Sequence, residues 1–202
     1  MGRISVSGLS WTQTELVYAY YGASTNLATF TTEDNLIKTY PLCPLNFGQL
    51  LADSGSVHSG SIHVLARGQI GNTTSSPTFT WSLRVFTTTT WSVGGVLLGS
   101  TAALACTASA VTLATWKLEA DIGIRTAPVA GSNNLVAVTM GQVESPSGLL
   151  SPGFGSLPPT NTAVVQNLDS TIPYYLFLSC ACSASNAANL INTQMLKVYG
   201  EN

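Results

Sequence analysis

From residue 57 onward the chain alternates apolar and polar positions with a period of two, the pattern of half-buried β-strands. In "SIHVLARGQIGN", Ile62, Val64, Ala66, Gly68 and Ile70 share one face. In "TFTWSLRVF", Phe79, Trp81, Leu83 and Val85 share one face, with Thr80, Ser82 and Arg84 opposite. "GNTTSSP" between these runs reads as a turn or short loop. The alternation is clearest in "TWKLEADIGIR", where Trp116, Leu118, Ala120, Ile122 and Ile124 oppose Lys117, Glu119, Asp121, Gly123 and Arg125. "LVAVTMGQVES" predicts a further strand with Val136, Val138 and Met140 in phase. "YYLFLSCACSAS" predicts a long strand with Leu176, Leu178, Cys180 and Cys182 in phase. "TAVVQNL", "LINTQMLKVYG" and the short run Val96–Leu98 add to the set. The Ala-rich stretch 102–114 leans toward strand and loop because of its Thr, Ser and Val content. "PSGLLSPGFGSLPPTNT" reads as a long Pro/Gly loop, the kind of segment that carries binding surfaces and lattice contacts.

No stretch has the period of a long amphipathic helix, and no repeat recurs at a fixed spacing. Two sheets with one apolar face each must cover one another. The pattern therefore predicts an all-β fold: a jelly-roll-like antiparallel β-sandwich of about eight strands spanning residues 57–202, preceded by an N-terminal arm. An immunoglobulin-like sandwich is the alternative, but no spaced Cys…Trp…Cys pattern supports it. Residues 1–56 read as that arm or as an edge subdomain, with pairing to the main sheet as the other reading. Within them, Leu16–Tyr21 and Leu27–Thr31 predict short extended pieces, and Thr32–Leu36 predicts a capped helical turn.

Charge changes the picture. Only 8% of the 202 residues are charged, and the net charge is -2, against roughly 25% charged residues in a typical soluble domain. A surface poor in charge lacks the usual protection against association, which favours an oligomer or a lattice. The seven Lys and Arg residues are scattered, so no basic arm or patch suits nucleic acid. No apolar run reaches the roughly 18 residues of a membrane helix, and "MGRISVSGLSW" lacks the apolar core of a signal peptide. Neither nucleic acid nor membrane is an expected partner.

Candidate chemistry is sparse. Glu119 and Asp121 project to one face of a strand, their Cα atoms about 6.5–7 Å apart, a separation that a glycosidase pair can use. Lys117 and Arg125 share that face, and a cation beside a carboxyl lowers a pKa that a general acid needs raised. The face reads as the solvated side of a strand. His58 and His63 are the only histidines; His58 reads as solvated and His63 as a surface or subunit-interface residue. Cys43, Cys106, Cys180 and Cys182 show no zinc spacing and read as small buried hydrophobes. No phosphate-binding loop, dinucleotide fingerprint or nucleophile elbow occurs, so no catalytic residue, metal or cofactor is expected. Trp11, Trp91 and Tyr174 are candidates to line a sugar groove. Trp11, Tyr18, Tyr20, Tyr21 and Phe154 are the candidates for protein contacts, because aromatic residues are enriched at interfaces.

The succession "ARGQIGNTTSSPTFTWSLRVF", "VLLGSTAAL", "TWKLEADIGIR", a "GQVES" strand end, a Pro/Gly loop and the closing "SASNAANLINTQML" resembles the β-sandwich structural proteins of tailed-bacteriophage virions, notably head decoration or cement proteins. The likeness spans roughly residues 57–202 and is one of pattern and composition. It implies a jelly-roll subunit, often a homotrimer, made in the host cytoplasm and placed on the capsid surface, where it binds the major capsid protein and stabilises the lattice. The expected function is thus a non-enzymatic capsid decoration protein. The alternative is a tail or head-fibre lectin-like module that binds host glycans.

Overall fold

The computed structural model describes residues 14–45, 47, 59–92, 94–126, 135–145, 149–160, 164–169 and 171–201. Among them the strands run in chain order as β1 (Thr14–Tyr21), β2 (Asp34–Asn35), β3 (Cys43–Leu45), β4 (Ser59–Asn72) and β5 (Thr78–Phe86). These are followed by β6 (Val96–Ser100), β7 (Leu104–Cys106), β8 (Val111–Thr126), β9 (Leu135–Glu144) and β10 (Leu150–Ser151). The last four are β11 (Phe154–Leu157), β12 (Val164–Leu168), β13 (Tyr174–Cys182) and β14 (Leu190–Glu201).

The strands form two antiparallel seven-stranded sheets packed as a sandwich. The front sheet has the order β1-β14-β4-β8-β9-β11, with β12 also on β9. The back sheet has the order β10-β7-β5-β13-β2, with β3 on β13 and β6 on β5. β4 lies beside β14 in the front sheet, while their chain neighbours β5 and β13 lie beside each other in the back sheet. Two antiparallel strands thus cross between sheets together, which is the wrapping of a jelly roll. The several short strands make the count higher than the sequence pattern predicts. β10 and β11 fall inside the segment read as a Pro/Gly loop, where two-residue and four-residue pairings are too brief to leave a periodic signal.

Strict alternation places the core as expected. Trp116, Leu118, Ala120, Ile122 and Ile124 of β8 are buried, as are Phe79, Trp81, Leu83 and Val85 of β5. The two sheets meet at Trp81 and Trp116, whose rings lie 6.0 Å apart. Gly68 sits opposite Trp116, and a Cβ there would collide with the Asn192 carbonyl and the Trp116 indole. That close approach lets the indole N–H donate to the Asn192 carbonyl at 3.0 Å. All four cysteines are buried and unpaired, and desolvation pushes the Cys43 and Cys106 thiols up to about 12.

Two local expectations are corrected. On β9 the buried set is Leu135, Ala137, Thr139 and Val143, while Val136 and Val138 are only half-buried and Met140 is 61% exposed. Small inward residues suit this place because β6 comes close: a Cβ on Gly99 would lie 3.3 Å from Thr139 and 3.2 Å from Leu157. Residues 32–36 form strand β2 and the start of a turn rather than a helical cap. The Asn35 side chain accepts from the Ile37 N–H at 2.9 Å, which closes the turn locally.

The described part of the N-terminal segment contributes to both sheets. β1 pairs along β14 at the front edge, with a bulge between Leu16 and Tyr18. β2 and β3 pair with β13 at the back edge. Leu27, Phe30, Leu36, Ile37, Tyr40, Leu45 and Phe47 join the common core.

Candidate functional site

Sheet register assembles a site that sequence distance hides. Tyr21 pairs with Met195, Met195 with Arg67, Arg67 with Lys117, Lys117 with Glu144, and Glu144 with Phe154. Directly paired residues project to the same side of a sheet, so these six form one row across the outer face of the front sheet. The neighbouring rows carry Lys197, Leu65, Glu119 and Gln142, then Tyr199, His63, Asp121 and Met140. Among the residues whose side chains are described, Arg67, Lys117, Lys197, Glu119, Asp121 and Glu144 gather on this face.

These charges largely satisfy one another. Lys117 Nζ lies 2.5 Å from Glu119 Oε2 and 3.4 Å from Glu144 Oε1. His63 Nδ1 lies 2.7 Å from Asp121 Oδ1, and its Nε2 is 3.6 Å from Glu119 Oε1. The Lys197 ammonium sits 5.2 Å from the centre of the Tyr21 ring, within cation–π range. The bond from Lys117 holds the Glu119 carboxyl below its ordinary range. Glu119 is therefore ionised at neutral pH and holds no proton to donate, the opposite of what a glycosidase acid requires. Among the described residues no group of His, Cys, Asp and Glu is arranged to hold a metal ion.

Around the charges lie large exposed apolar side chains. Tyr21 is 63% exposed, Phe154 56% and Val165 57%, with Leu16 on β1 at 52%. Tyr21 and Phe154, both candidate contact residues, stand at opposite ends of the same cross-strand row. Tyr18 and Tyr20 face the other way and pack partly on the core. Tyr18 donates to the Pro41 carbonyl at 2.8 Å, and burial pushes its phenol up to about 12. Tyr20 lies on Tyr40 with ring centres 4.2 Å apart. Trp11 and His58 lie outside the described residues. Met195 and Val165 carried no signal in the sequence, and Met140 was read in phase with Val136 and Val138; only the register shows that all three share a face with Tyr21.

The outer side of the back sheet is different, since side chains cover it. Arg84 of β5 grips Glu33 with two bonds, Nε–Oε1 at 2.7 Å and Nη2–Oε2 at 2.8 Å, and donates to the Gly95 carbonyl at 2.9 Å. Ser179 of β13 donates to the same carboxylate at 2.5 Å. Beside them, Trp91 rests on Phe86 and Phe177, with ring centres 5.4 and 5.8 Å away. A cleft of about 280 Å³ opens between Trp91 and the turn 35–42. Tyr174 is buried in the core, so of the three aromatics considered for a sugar groove, Trp91 is the one found at a cleft.

No protein-family model matches the chain, and no curated protein matches it. Solved structures with similar arrangements include a seed lectin isoform of Lotus tetragonolobus, at 10% identity, 98% of this chain, 95% of that one and a TM-score of 0.36. Lectin I-B4 of Griffonia simplicifolia, in its metal-free form, is similar at 8% identity, 95% and 99% coverage and a TM-score of 0.31. The CBM2 module of an evolved Dit from Lactobacillus casei BL23 phage J-1 is similar at 10% identity, 94% and 96% coverage and a TM-score of 0.28. At such scores these likenesses bear no functional weight, and the fold rests on the strand pairing itself.

Proposed function

We propose that this chain is a non-enzymatic virion structural protein of the capsid-decoration type, which associates with itself as a homotrimer and binds the major capsid protein of the same virion. The observation that carries the reading is the outer face of the front sheet. There Tyr21, Met140, Phe154 and Val165 stand exposed around the Lys117–Glu119–Glu144 ion cluster and the His63–Asp121 hydrogen bond. Burying such a face removes apolar area from water and takes with it carboxylates that already hold hydrogen-bond partners, which favours a stable protein contact. The charge-poor composition and the resemblance of residues 57–202 to phage decoration proteins support the same reading.

The test is the absolute mass of the full chain by light scattering. A trimer is expected for the unaltered chain, and Tyr21→Asp and Met140→Asp are each expected to yield monomers with an unchanged circular dichroism spectrum. An unaltered chain that is monomeric at every concentration, or a trimer indifferent to both substitutions, would sink the proposal.

A further inference from the structure

The cleft beside Trp91 lies over the back sheet, on the side of the sandwich away from the face described above. Its floor is Phe177, which points outward from β13 yet is only 4% exposed, and one wall is the half-buried Trp91. The indole is braced against Phe86 and Phe177, so the platform is in place before any ligand arrives. The facing wall is the turn bearing Tyr40, Pro41 and Leu42, the last 41% exposed. The single proton of the Tyr40 hydroxyl is taken up between the Gly22 and Thr193 carbonyls, 2.6 and 2.9 Å away, so Tyr40 offers the cleft its ring. Polar groups stand at the rim: the exposed hydroxyl residues Thr89 and Thr90, and Lys38.

The polarity of that rim selects the ligand. The Lys38 ammonium is paired at 2.8 Å with Asp34, a cation answered by its own carboxylate. An anionic ligand gains little from a cation already paired, whereas a hydroxyl group can donate to the carboxylate and accept from the ammonium. A ligand suited to the whole cleft has a flat C–H face for the indole and hydroxyls around its edge, at a size near the lower end of small-molecule sites. We propose that this cleft binds a neutral saccharide, one or two sugar rings in extent, stacked on Trp91. The site is independent of the front-sheet face, so the chain can hold a glycan while docked on another protein.

The test uses the full chain and saturation-transfer NMR with methyl glycosides of glucose, galactose and N-acetylglucosamine, the matching β-linked disaccharides, and inorganic phosphate. Transfer to the C–H protons of at least one sugar is expected, with none to a phosphate-bearing competitor site: added phosphate leaves the sugar signal unchanged. Trp91→Ala is expected to weaken sugar binding by about tenfold, equivalent to ~1.4 kcal/mol. Thr90→Arg, which fills the rim without touching the packed aromatic trio, is expected to do the same and guards against a Trp91 variant that fails to fold. Thr74→Lys, at an exposed position in the turn between β4 and β5 and at the far end of β5 from the cleft, is expected to bind as the unaltered chain does. No transfer to any sugar, displacement by phosphate, or sugar binding that survives Thr90→Arg would overturn the proposal.

Discussion

At the scale of the residue, the half-buried ion pair between Glu33 and Arg84 outweighs every charge on the front sheet. Both side chains are about 15% exposed, at 15% and 14%. Burial pushes the Glu33 carboxyl up, but the bonds from Arg84 and Ser179 and the Arg84 charge together hold it below its ordinary range. Because the folded value is depressed, the contribution is complete above the unfolded carboxylate range, near pH 4.3. It is lost as pH falls through the folded value. Glu33→Gln is expected to cost about 3 kcal/mol at neutral pH, since it leaves a guanidinium buried without its partner. Urea unfolding from about pH 7 down to about pH 3 checks this: the unaltered chain loses stability on the acid side more steeply than the variant. An acid limb of equal slope in both would remove Glu33 from the account. Lys117, Glu119 and Asp121 on the exposed face carry little by comparison, because water screens such pairs. Their role as the wet side of β8 was legible in strict alternation within ten residues. The Glu33–Arg84 pair was not, because it joins a loop and a strand 51 residues apart in sequence.

At the scale of the element, legibility depended on how sharply the two faces differ. β5 and β8 set apolar residues against polar or small ones, so their buried sets follow from the alternation alone. β9 begins Leu-Val-Ala-Val, apolar on both faces, and there periodicity cannot choose a side. The proximity of β6 decides it, favouring Ala137 and Thr139 inward and leaving Met140 out. A pair of substitutions separates the two phases. At a concentration low enough to dissociate the proposed trimer, Met140→Lys is expected to change protomer stability by less than about 0.5 kcal/mol, as exposed positions usually do. Val143→Lys, at a position with no exposure, is expected to abolish folding or cost more than about 3 kcal/mol by burying an unpaired ammonium. Thermal unfolding followed by circular dichroism reads both, and the reverse ranking would restore the phase expected from sequence. The same limit explains why the candidate contact face was only half visible. Tyr21 and Phe154 drew attention as aromatics, but their alignment in one row follows from five strand registers, none of which is local.

At the scale of the whole molecule, the N-terminal segment binds the two sheets into one unit. β1 closes the front sheet, β2 and β3 extend the back sheet, and the chain between them sends Leu27, Phe30, Leu36, Ile37 and Tyr40 into the common core. Each large apolar side chain contributes about 1.5–3 kcal/mol on burial, while a domain's net stability is about 5–15 kcal/mol. Removing this set exceeds the whole margin. Deletion of residues 1–50 is therefore expected to give a chain with no cooperative thermal transition and no near-ultraviolet circular dichroism, rather than a folded monomer released from its partners. A truncated chain that still melts cooperatively would show that residues 59–201 hold a core of their own. The result also bears on how association is to be measured. If the segment is part of the core, loss of a trimer on truncation reports unfolding, not a broken contact. Only surface substitutions such as Tyr21→Asp, made on a sandwich that keeps its N-terminal strands, can then separate assembly from folding.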